Sequence, residues 1–328
     1  MRLLTMNTGS YPRIGETPEL QALRRSTAAA EKGEAASEQV RAAEDALVQA
    51  AIQEQIDAGL DVVTDGQVRW HDPIAHLAGK LQGIEINGLL RYFDTNFYFR
   101  QPVVKGEIKA KDGLVVSEFE FAKANSAKPV KAVLTGPYTL ARHSISEHAA
   151  YKDIETLTRA YAMVLAAEVA ALAEAGAELI QIDEPSILKN PKDVPVLQRA
   201  MLVVGKQRLK AKILLYAYFG DPIPVFDRLQ QLPVDILGFD FTYNPKLHER
   251  VVAVGSQKPL AFGMVDARST KLEDPEELAH QIDRMMLRTK AEVCYLSPSC
   301  GLEYLPRDRA LAKLKLLDDI RCQVKAAR

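Results

Sequence analysis

The chain has 328 residues, and its 42 Lys and Arg residues nearly balance its 43 Asp and Glu residues, which gives a formal net charge of -1. Because nucleic acids and anionic membranes attract an excess of positive charge, this balance argues against both as partners and favours a small molecule. The sequence shows no signal-peptide pattern and no run of about 18 apolar residues. Its three cysteines lack C-x-x-C spacing. We therefore expect a cytoplasmic protein that does not cross a membrane.

Eight short apolar or β-branched runs each end in a cluster of polar, Gly or Pro residues. These runs are Leu3–Gly9, Val62–Gly66, Ala132–Pro137, Leu179–Pro185, Ile213–Gly220, Ile236–Thr242, Leu260–Asp266 and Val293–Cys300. Their number favours a closed (β/α)8 TIM barrel over an open doubly wound sheet, and no Gly-rich phosphate fingerprint follows the first run. Since such a barrel occupies roughly 250 residues and tolerates insertions, we expect residues 1–328 to form one barrel domain.

Helical patterns separate most of these runs. The predicted helices are Ser37–Ala58, Ile74–Leu81, Glu155–Ala175, Pro195–Gly205, Pro222–Gln231, Pro245–Val254, Pro275–Thr289 and Arg307–Val324, several of them with Pro in the first turn. The segment 83–116, between the second and third barrel strands, instead has an extended, hairpin-like pattern with many aromatic residues. We expect it to form a β-arm or lid near the barrel mouth, where hairpin packing explains the aromatic residues at least as well as ligand stacking.

Polar residues at the carboxyl ends of the strands are the candidate site residues of a TIM barrel. Asp183 and Glu184 end the fourth run, and because side chains alternate along a strand, only one of them can point to the barrel axis. A carboxylate there could hold an ammonium group, act as acid or base, or bind a metal. Asp240 ends the sixth run and, if buried, needs a basic side chain or a ligand as partner. Cys300 ends the eighth run, where a lone thiol is as often a small buried apolar residue as a functional one.

Two other kinds of site find no support in the sequence. The six histidines form no His-Glu-x-x-His motif and no ligand spacing with cysteine, so a histidine-based metal site is not indicated. No Gly-x-Ser-x-Gly elbow indicates a serine nucleophile. Arg142 and His143 follow the third run, and either could reach an anionic group of a substrate.

Five motifs occur in the same order as in a known family. They are Gly9-Ser10-Tyr11-Pro12-Arg13-Ile14-Gly15, Phe93-Asp94-Thr95-Asn96-Phe97-Tyr98, Leu134-Thr135-Gly136-Pro137, Gln181-Ile182-Asp183-Glu184-Pro185 and Ser299-Cys300-Gly301-Leu302. Along nearly the whole chain they resemble cobalamin-independent methionine synthase. That family has two related (β/α)8 barrels, of which the C-terminal one transfers a methyl group from methyltetrahydrofolate to the zinc-bound thiolate of homocysteine. Some single-barrel relatives are thought to take the methyl group from a corrinoid.

The resemblance implies roles for several residues. Asp183 would hold the amino group of homocysteine, and Thr8, Gly9 and Ser10 would hold its carboxylate. Gln67 stands where the catalytic barrel has a Glu for the same amino group. Further candidate substrate-binding residues are Glu184, Tyr218 and Arg268.

The family's zinc ligands have only partial counterparts. The catalytic barrel uses a His-x-Cys after strand five, a Glu after strand six and a Cys after strand eight. Here these positions hold Tyr216-Ala217-Tyr218, Asp240 and Cys300, so zinc would depend on an incomplete set, Cys300 and Asp240. Arg268 replaces the family's His after strand seven, and arginine does not donate protons near neutral pH. These departures resemble the zinc-free N-terminal barrel of the family.

Three functions follow from these residues. The first is methyl transfer from a folate or methylcobalamin donor to homocysteine or a related thiol, with Asp183, Asp240 and Cys300 as catalytic residues. The second is a non-catalytic, zinc-free barrel that accompanies a separate catalytic barrel, and a corrinoid protein is a further candidate partner. The third is a lyase or decarboxylase that uses Asp183, Asp240 and Arg268 around a carboxylated substrate.

Overall fold

The computed structural model describes residues 1–34 and 36–326. The strands are β1 (Arg2–Thr5), β2 (Leu81–Arg91), β3 (Tyr98–Ala110), β4 (Ala132–Thr135), β5 (Ile145–Ser146), β6 (Leu179–Asp183), β7 (Lys212–Ala217), β8 (Ile236–Asp240), β9 (Leu260–Val265) and β10 (Val293–Pro298). The helices are α1 (Ala22–Glu31), α2 (Ser37–Asp57), α3 (Ala75–Ala78), α4 (Val116–Ala124), α5 (Pro137–Arg142), α6 (Ile154–Glu174), α7 (Ser186–Lys189), α8 (Val194–Val204), α9 (Phe226–Leu229), α10 (Leu247–Val254), α11 (Pro275–Met286) and α12 (Arg307–Gln323).

Seven of the strands form one parallel sheet in the order β1-β10-β9-β8-β7-β6-β4. Single parallel bridges join Val62 to Met6 and Val63 to Val130, so these two valines supply the eighth strand position between β1 and β4. The predicted (β/α)8 barrel is therefore confirmed, with a short second strand. Gln55 of α2 donates to the carbonyl of Thr64 and accepts from its N–H, both at 2.9 Å. Its side chain thus satisfies backbone groups that would pair with a neighbouring strand if the second strand were longer.

The barrel wall is buried on both of its faces. β4, β6, β8 and β9 are buried at every position, which explains why these strands appear in the sequence as continuous apolar runs without alternation. Helix α6 is long and apolar enough to cross a membrane by length and composition, but 56% of its most apolar window is buried inside the protein. It packs against α5 and α8 as a core helix of the barrel shell.

The helices differ from the predicted ones in several places, and α1, α5 and α7 were not predicted. The helix expected over 222–231 is reduced to the four residues of α9, because Pro224 disfavours a helical conformation of Ile223 before it. The helix expected over 74–81 is the short α3, and Leu81 already belongs to β2. Helix α4 was not predicted. Its start is fixed by Glu168 of α6, whose carboxylate accepts from the N–H groups of residues 114, 115 and 116, a contact between segments distant in sequence.

Strands β2 and β3 form an antiparallel hairpin between the second and third strand positions of the barrel, and β5 pairs with β3. The hairpin tip packs against loops at the barrel mouth. Tyr92 lies edge to face with Phe219 after β7, with ring centroids 6.1 Å apart, and Phe97 lies 5.9 Å from Tyr304 after β10. These contacts place aromatic residues of the arm beside the carboxyl ends of the strands. That the arm acts as a lid stays a prediction.

Candidate active site

A cavity of about 790 Å³ lies at the carboxyl end of the barrel. The loops after β1, β7 and β10, the last residue of β6, the loop after Val63 and the tip of the hairpin contribute to its lining. Its volume is in the range of pockets that bind small molecules. Of the site residues predicted from the sequence, the lining includes Thr8, Gly9, Ser10, Gln67, Asp183 and Tyr218.

Asp183 is the acid of strand β6 that faces this cavity, and it is only 8% exposed. Its Oδ1 accepts a hydrogen bond of 2.7 Å from the amide of Gln181, and its Oδ2 accepts one of 3.2 Å from the hydroxyl of Tyr218. Burial raises the pKa of the Asp183 carboxyl, and these hydrogen bonds and the charge of Lys131 oppose that rise. Two neighbours thus hold the carboxylate in a fixed orientation at the cavity wall.

A buried lysine lies behind this carboxylate. The Nζ atom of Lys131 donates to the carbonyl of Asn7 at 2.8 Å and to that of Thr8 at 3.1 Å, and also to Oε1 of Gln181. With its Oε1 occupied in this way, Gln181 directs its amide N–H groups to Asp183 and to the Thr8 carbonyl, the latter at 2.8 Å. Burial lowers the pKa of Lys131. Lys131 therefore fixes the orientation of Gln181 and, through it, that of Asp183.

The loop after β1 forms another side of the cavity. The Gly9 carbonyl accepts from the amide of Asn7 at 3.0 Å and from the hydroxyl of Thr64 at 2.6 Å, and the Thr8 hydroxyl donates to the carbonyl of Pro298 at 2.5 Å. A Cβ atom at Gly9 would lie 3.2 Å from Oε1 of Gln67, so the glycine lets this side chain approach the loop. The loop is consequently rigid where it meets the cavity.

Several polar residues of the cavity were not predicted as site residues from the sequence, among them Tyr92, Glu303 and Tyr304. Tyr92 comes from the hairpin tip, while Glu303 and Tyr304 follow β10. Glu303 is partly buried, and its Oε2 atom is shielded from solvent without a hydrogen-bond partner among the described residues. Burial raises the pKa of Glu303 to about 7, and the negative charge of Asp183 acts in the same direction. Glu303 lies three residues after Cys300, in the loop that follows the last strand. Because the loops after the strands of a TIM barrel carry its site residues, a search that included this whole loop would have identified Glu303.

Glu184 points away from the cavity. Its Oε1 accepts from the N–H of Tyr138 at 2.9 Å, and its Oε2 accepts from the N–H and hydroxyl of Thr139 at 2.8 and 2.7 Å. These donors lie in the first turn of α5. The alternation of side chains at the end of β6 thus sends Asp183 to the cavity and Glu184 to a helix start.

Asp240, Arg268 and Cys300 lie together beside the cavity but do not line it. Oδ1 of Asp240 accepts from the N–H groups of Thr242 and Tyr243 at 2.9 and 3.0 Å, and Oδ2 lies 3.3 Å from a guanidinium nitrogen of Arg268. Arg268 is therefore the basic partner that the buried carboxylate requires. Burial raises the pKa of the Cys300 thiol well above its usual value, and the charges of Asp240 and Glu303 add to this effect.

Comparison with known proteins assigns the family. The sequence model described as cobalamin-independent synthase, catalytic domain, matches residues 3–321. The chain belongs to this family. A protein named methionine synthase from Saccharolobus solfataricus is 33% identical over 303 residues, which cover 92% of this chain and 90% of that protein. A methionine synthase from Sulfurisphaera tokodaii is 30% identical, with coverage of 92% and 88%.

Solved structures support the fold of this family member. A B12-independent methionine synthase from Shewanella sp. W3-18-1, in complex with selenomethionine, has a TM-score of 0.80 at 21% identity and covers 98% of this chain and 97% of its own. The putative vitamin-B12-independent methionine synthase from Listeria monocytogenes has a TM-score of 0.75 at 16% identity, with coverage of 98% of both chains. The chain therefore shares the architecture of these proteins over its whole length, and the match to nearly complete relatives does not favour the companion-barrel interpretation.

The residues at the family's zinc position do not fit a metal. Among the described residues, no group of three His, Cys, Asp or Glu side chains could hold an ion. The Tyr216 hydroxyl bonds to the Ser297 hydroxyl at 2.9 Å and to the Pro298 carbonyl at 3.0 Å, and the guanidinium of Arg268 already neutralises Asp240. A cation at Cys300 and Asp240 would meet this guanidinium and lack two ligands. The pair predicted as a partial zinc site is a carboxylate–guanidinium pair next to a buried thiol.

Proposed function

We propose that this barrel transfers a methyl group from a folate or corrinoid donor to the sulfur of homocysteine or a related thiol. Family membership supports the class of reaction. The observation that carries the choice of acceptor is the position of Asp183, which shares one cavity with the Thr8-Gly9-Ser10 loop. An acid and a polar loop on one cavity suit the ammonium and carboxylate groups of an amino acid.

The reaction breaks the bond between the methyl carbon and the nitrogen or cobalt of the donor while the carbon–sulfur bond of the thioether forms. The thiol proton leaves, and the demethylated folate nitrogen, or water in the corrinoid case, accepts it. The residues of this chain contribute binding and orientation. Asp183, held by Gln181 and Tyr218, fixes the ammonium end of the acceptor, and a fixed acceptor lowers the entropic cost of bringing sulfur to the methyl carbon.

Methionine formation from homocysteine tests the proposal. The purified chain is offered methyltetrahydrofolate and methylcobalamin in separate assays, and Asp183→Asn is compared with Asp319→Asn, an exposed acid of α12 that is absent from the cavity lining. We expect turnover with one of the donors. The Asp183→Asn change should lower kcat/KM by about 100-fold, since a charge-assisted hydrogen bond contributes roughly 1.5–3 kcal/mol. The Asp319→Asn variant should match the wild type.

Two results would contradict the proposal. Absence of methionine with both donors would remove homocysteine as the acceptor. An Asp183→Asn variant as active as Asp319→Asn would remove Asp183 from the site. The lyase alternative has no comparable support, because Arg268 and Asp240 bind each other outside the cavity lining.

A further inference from the structure

We infer that Glu303 is the second acid of the binding site and that Asp183 and Glu303 together hold a primary ammonium group of the substrate. This inference rests on the proposed function, since it names the residues that receive the amino end of the acceptor. It concerns a residue that lies in the cavity lining but was not among the candidates from sequence.

The geometry around Glu303 directs its carboxylate to the cavity. The Oε2 atom is shielded from solvent and has no hydrogen-bond partner among the described residues. A Cβ atom at Gly301 would overlap both this oxygen and the hydroxyl oxygen of Ser10, so the two side chains converge over a glycine. Ser10 belongs to the loop already assigned to the cavity. A buried carboxylate oxygen that lacks a protein donor needs one from a ligand.

The charges around the cavity favour a cation as that ligand. Within residues 1–34 and 36–326, neither Asp183 nor Glu303 forms an ion pair within 4.0 Å. The two arginines of the cavity lining contact other protein groups, although Nε of Arg13 and Nη2 of Arg307 are buried without a hydrogen-bond partner among the described residues. Arg307 pairs with Glu54 at 3.0 Å, and Arg13 donates to the carbonyl of Trp70 at 2.9 Å. Two acids line one cavity, and the only cation among the described residues that acts on either of them is Lys131, which lies behind Asp183; the pair therefore suits a ligand that brings its own positive charge.

Glu303 interacts electrostatically with the ionisable groups of Asp183, Cys300, Tyr92, Tyr218 and Tyr304. None of these is cationic, and burial raises the pKa of Glu303 to about 7. An ammonium group favours the ionised carboxylates, so its binding near neutral pH releases a proton from the acid pair. Affinity for an amine should accordingly rise between about pH 6 and pH 8, since the ionised fraction of Glu303 rises over that range.

Calorimetric titration with three thiols tests the inference. Homocysteine carries both the ammonium and the carboxylate, 3-aminopropanethiol lacks the carboxylate, and 4-mercaptobutanoate lacks the ammonium. The variant is Glu303→Gln, which keeps the shape of the side chain. Its matched control is Glu249→Gln, an exposed glutamate of α10 that is absent from the cavity lining. Unfolding curves establish that both variants fold.

We expect Glu303→Gln to bind homocysteine and 3-aminopropanethiol about 10- to 100-fold more weakly than the wild type, as the loss of a charged partner predicts. It should bind 4-mercaptobutanoate at least as well, and Glu249→Gln should behave as the wild type. Equal losses for all three thiols, or no loss for any, would overturn the inference. If Glu303→Gln does not fold, the affinity of the wild type for 3-aminopropanethiol is measured from pH 6 to pH 8 instead. An affinity that does not rise over this range would overturn the inference.

The same titrations separate this inference from the proposed function. If the wild type binds 3-aminopropanethiol through Glu303 but neither binds nor methylates homocysteine, the acid pair stands and the acceptor assignment fails. If Glu303→Gln binds and methylates homocysteine as the wild type does, the acceptor assignment stands and the acid pair fails. A wild type that binds neither ammonium thiol overturns the acid pair outright.

Discussion

Lys131 is the least expected residue of this barrel, because a lysine with 1% exposure is rare unless its charge is compensated. Here two backbone carbonyls and the side chain of Gln181 receive its N–H groups. All three acceptors lie at or near the wall that presents Asp183. The lysine thus joins the loop after β1 to strand β6 without touching the cavity.

Replacing Lys131 by Met should lower the free energy of unfolding by about 3 kcal/mol or more. The change removes the charge but leaves buried acceptors without donors, and each unsatisfied group costs about 1–3 kcal/mol. Urea unfolding of Lys131→Met and of Lys128→Met, an exposed neighbour in sequence, measures the difference. The Lys128 variant should stay within about 0.5 kcal/mol of the wild type. Equal stabilities of the two variants would show that the buried hydrogen bonds contribute nothing.

The two adjacent acids at the end of strand β6, Asp183 and Glu184, have different roles. Asp183 faces the cavity, while Glu184 accepts three hydrogen bonds at the start of α5. The sequence predicts that only one of the two can face the axis, but it cannot say which one. That choice depends on Thr139 and on Gly136, where a Cβ atom would overlap the Glu184 carboxylate. The decision therefore comes from packing between segments about 45 residues apart.

The hairpin tip rests on a histidine that is held neutral. The ring of His143, after α5, lies 4.8 Å from that of Phe99, 5.2 Å from Phe93 and 5.5 Å from Tyr92. Burial lowers the pKa of His143 to about 4, and the charge of Arg142 contributes to this shift. Protonation of this imidazole would place a charge among aromatic rings at the base of the tip.

Acid should therefore destabilise the protein through His143. Because its pKa is about 4 when folded and 6.5 when unfolded, the unfolded chain binds more protons in this range, and stability falls as the pH drops from about 6.5 to about 4. The loss assigned to this residue is at most about 3 kcal/mol. Urea unfolding at several pH values should show a steeper acid loss for the wild type than for His143→Gln, in which the other titrating groups are unchanged. Parallel curves for the two proteins would refute the assignment.

The barrel as a whole could be predicted from the sequence, because each strand of its wall is a continuous apolar run that ends in polar residues, as at Asp183 and Asp240. The cavity was less predictable. Asp240 ends β8 and Cys300 follows β10, yet neither lines the cavity. Asp240 pairs with the guanidinium of Arg268, and Cys300 is buried near both. Glu303 enters the cavity from a loop whose path depends on a backbone hydrogen bond of 3.0 Å between Leu302 and Ser10. Such long-range contacts leave no local pattern.

The pairing of Arg268 with Asp240 predicts that the protein binds zinc weakly. A site whose dissociation constant lies 100-fold below the free zinc concentration would add about 2.7 kcal/mol to the free energy of unfolding. With Arg268 paired to Asp240 and tyrosines at the two strand-five positions, we expect added zinc to change the wild type by less than about 0.5 kcal/mol. Cys300→Ser, measured in parallel by urea unfolding and by metal analysis after dialysis, should respond in the same way. Stoichiometric zinc in the wild type that is lost in Cys300→Ser would mean that Arg268 leaves Asp240 and that the two family ligands suffice.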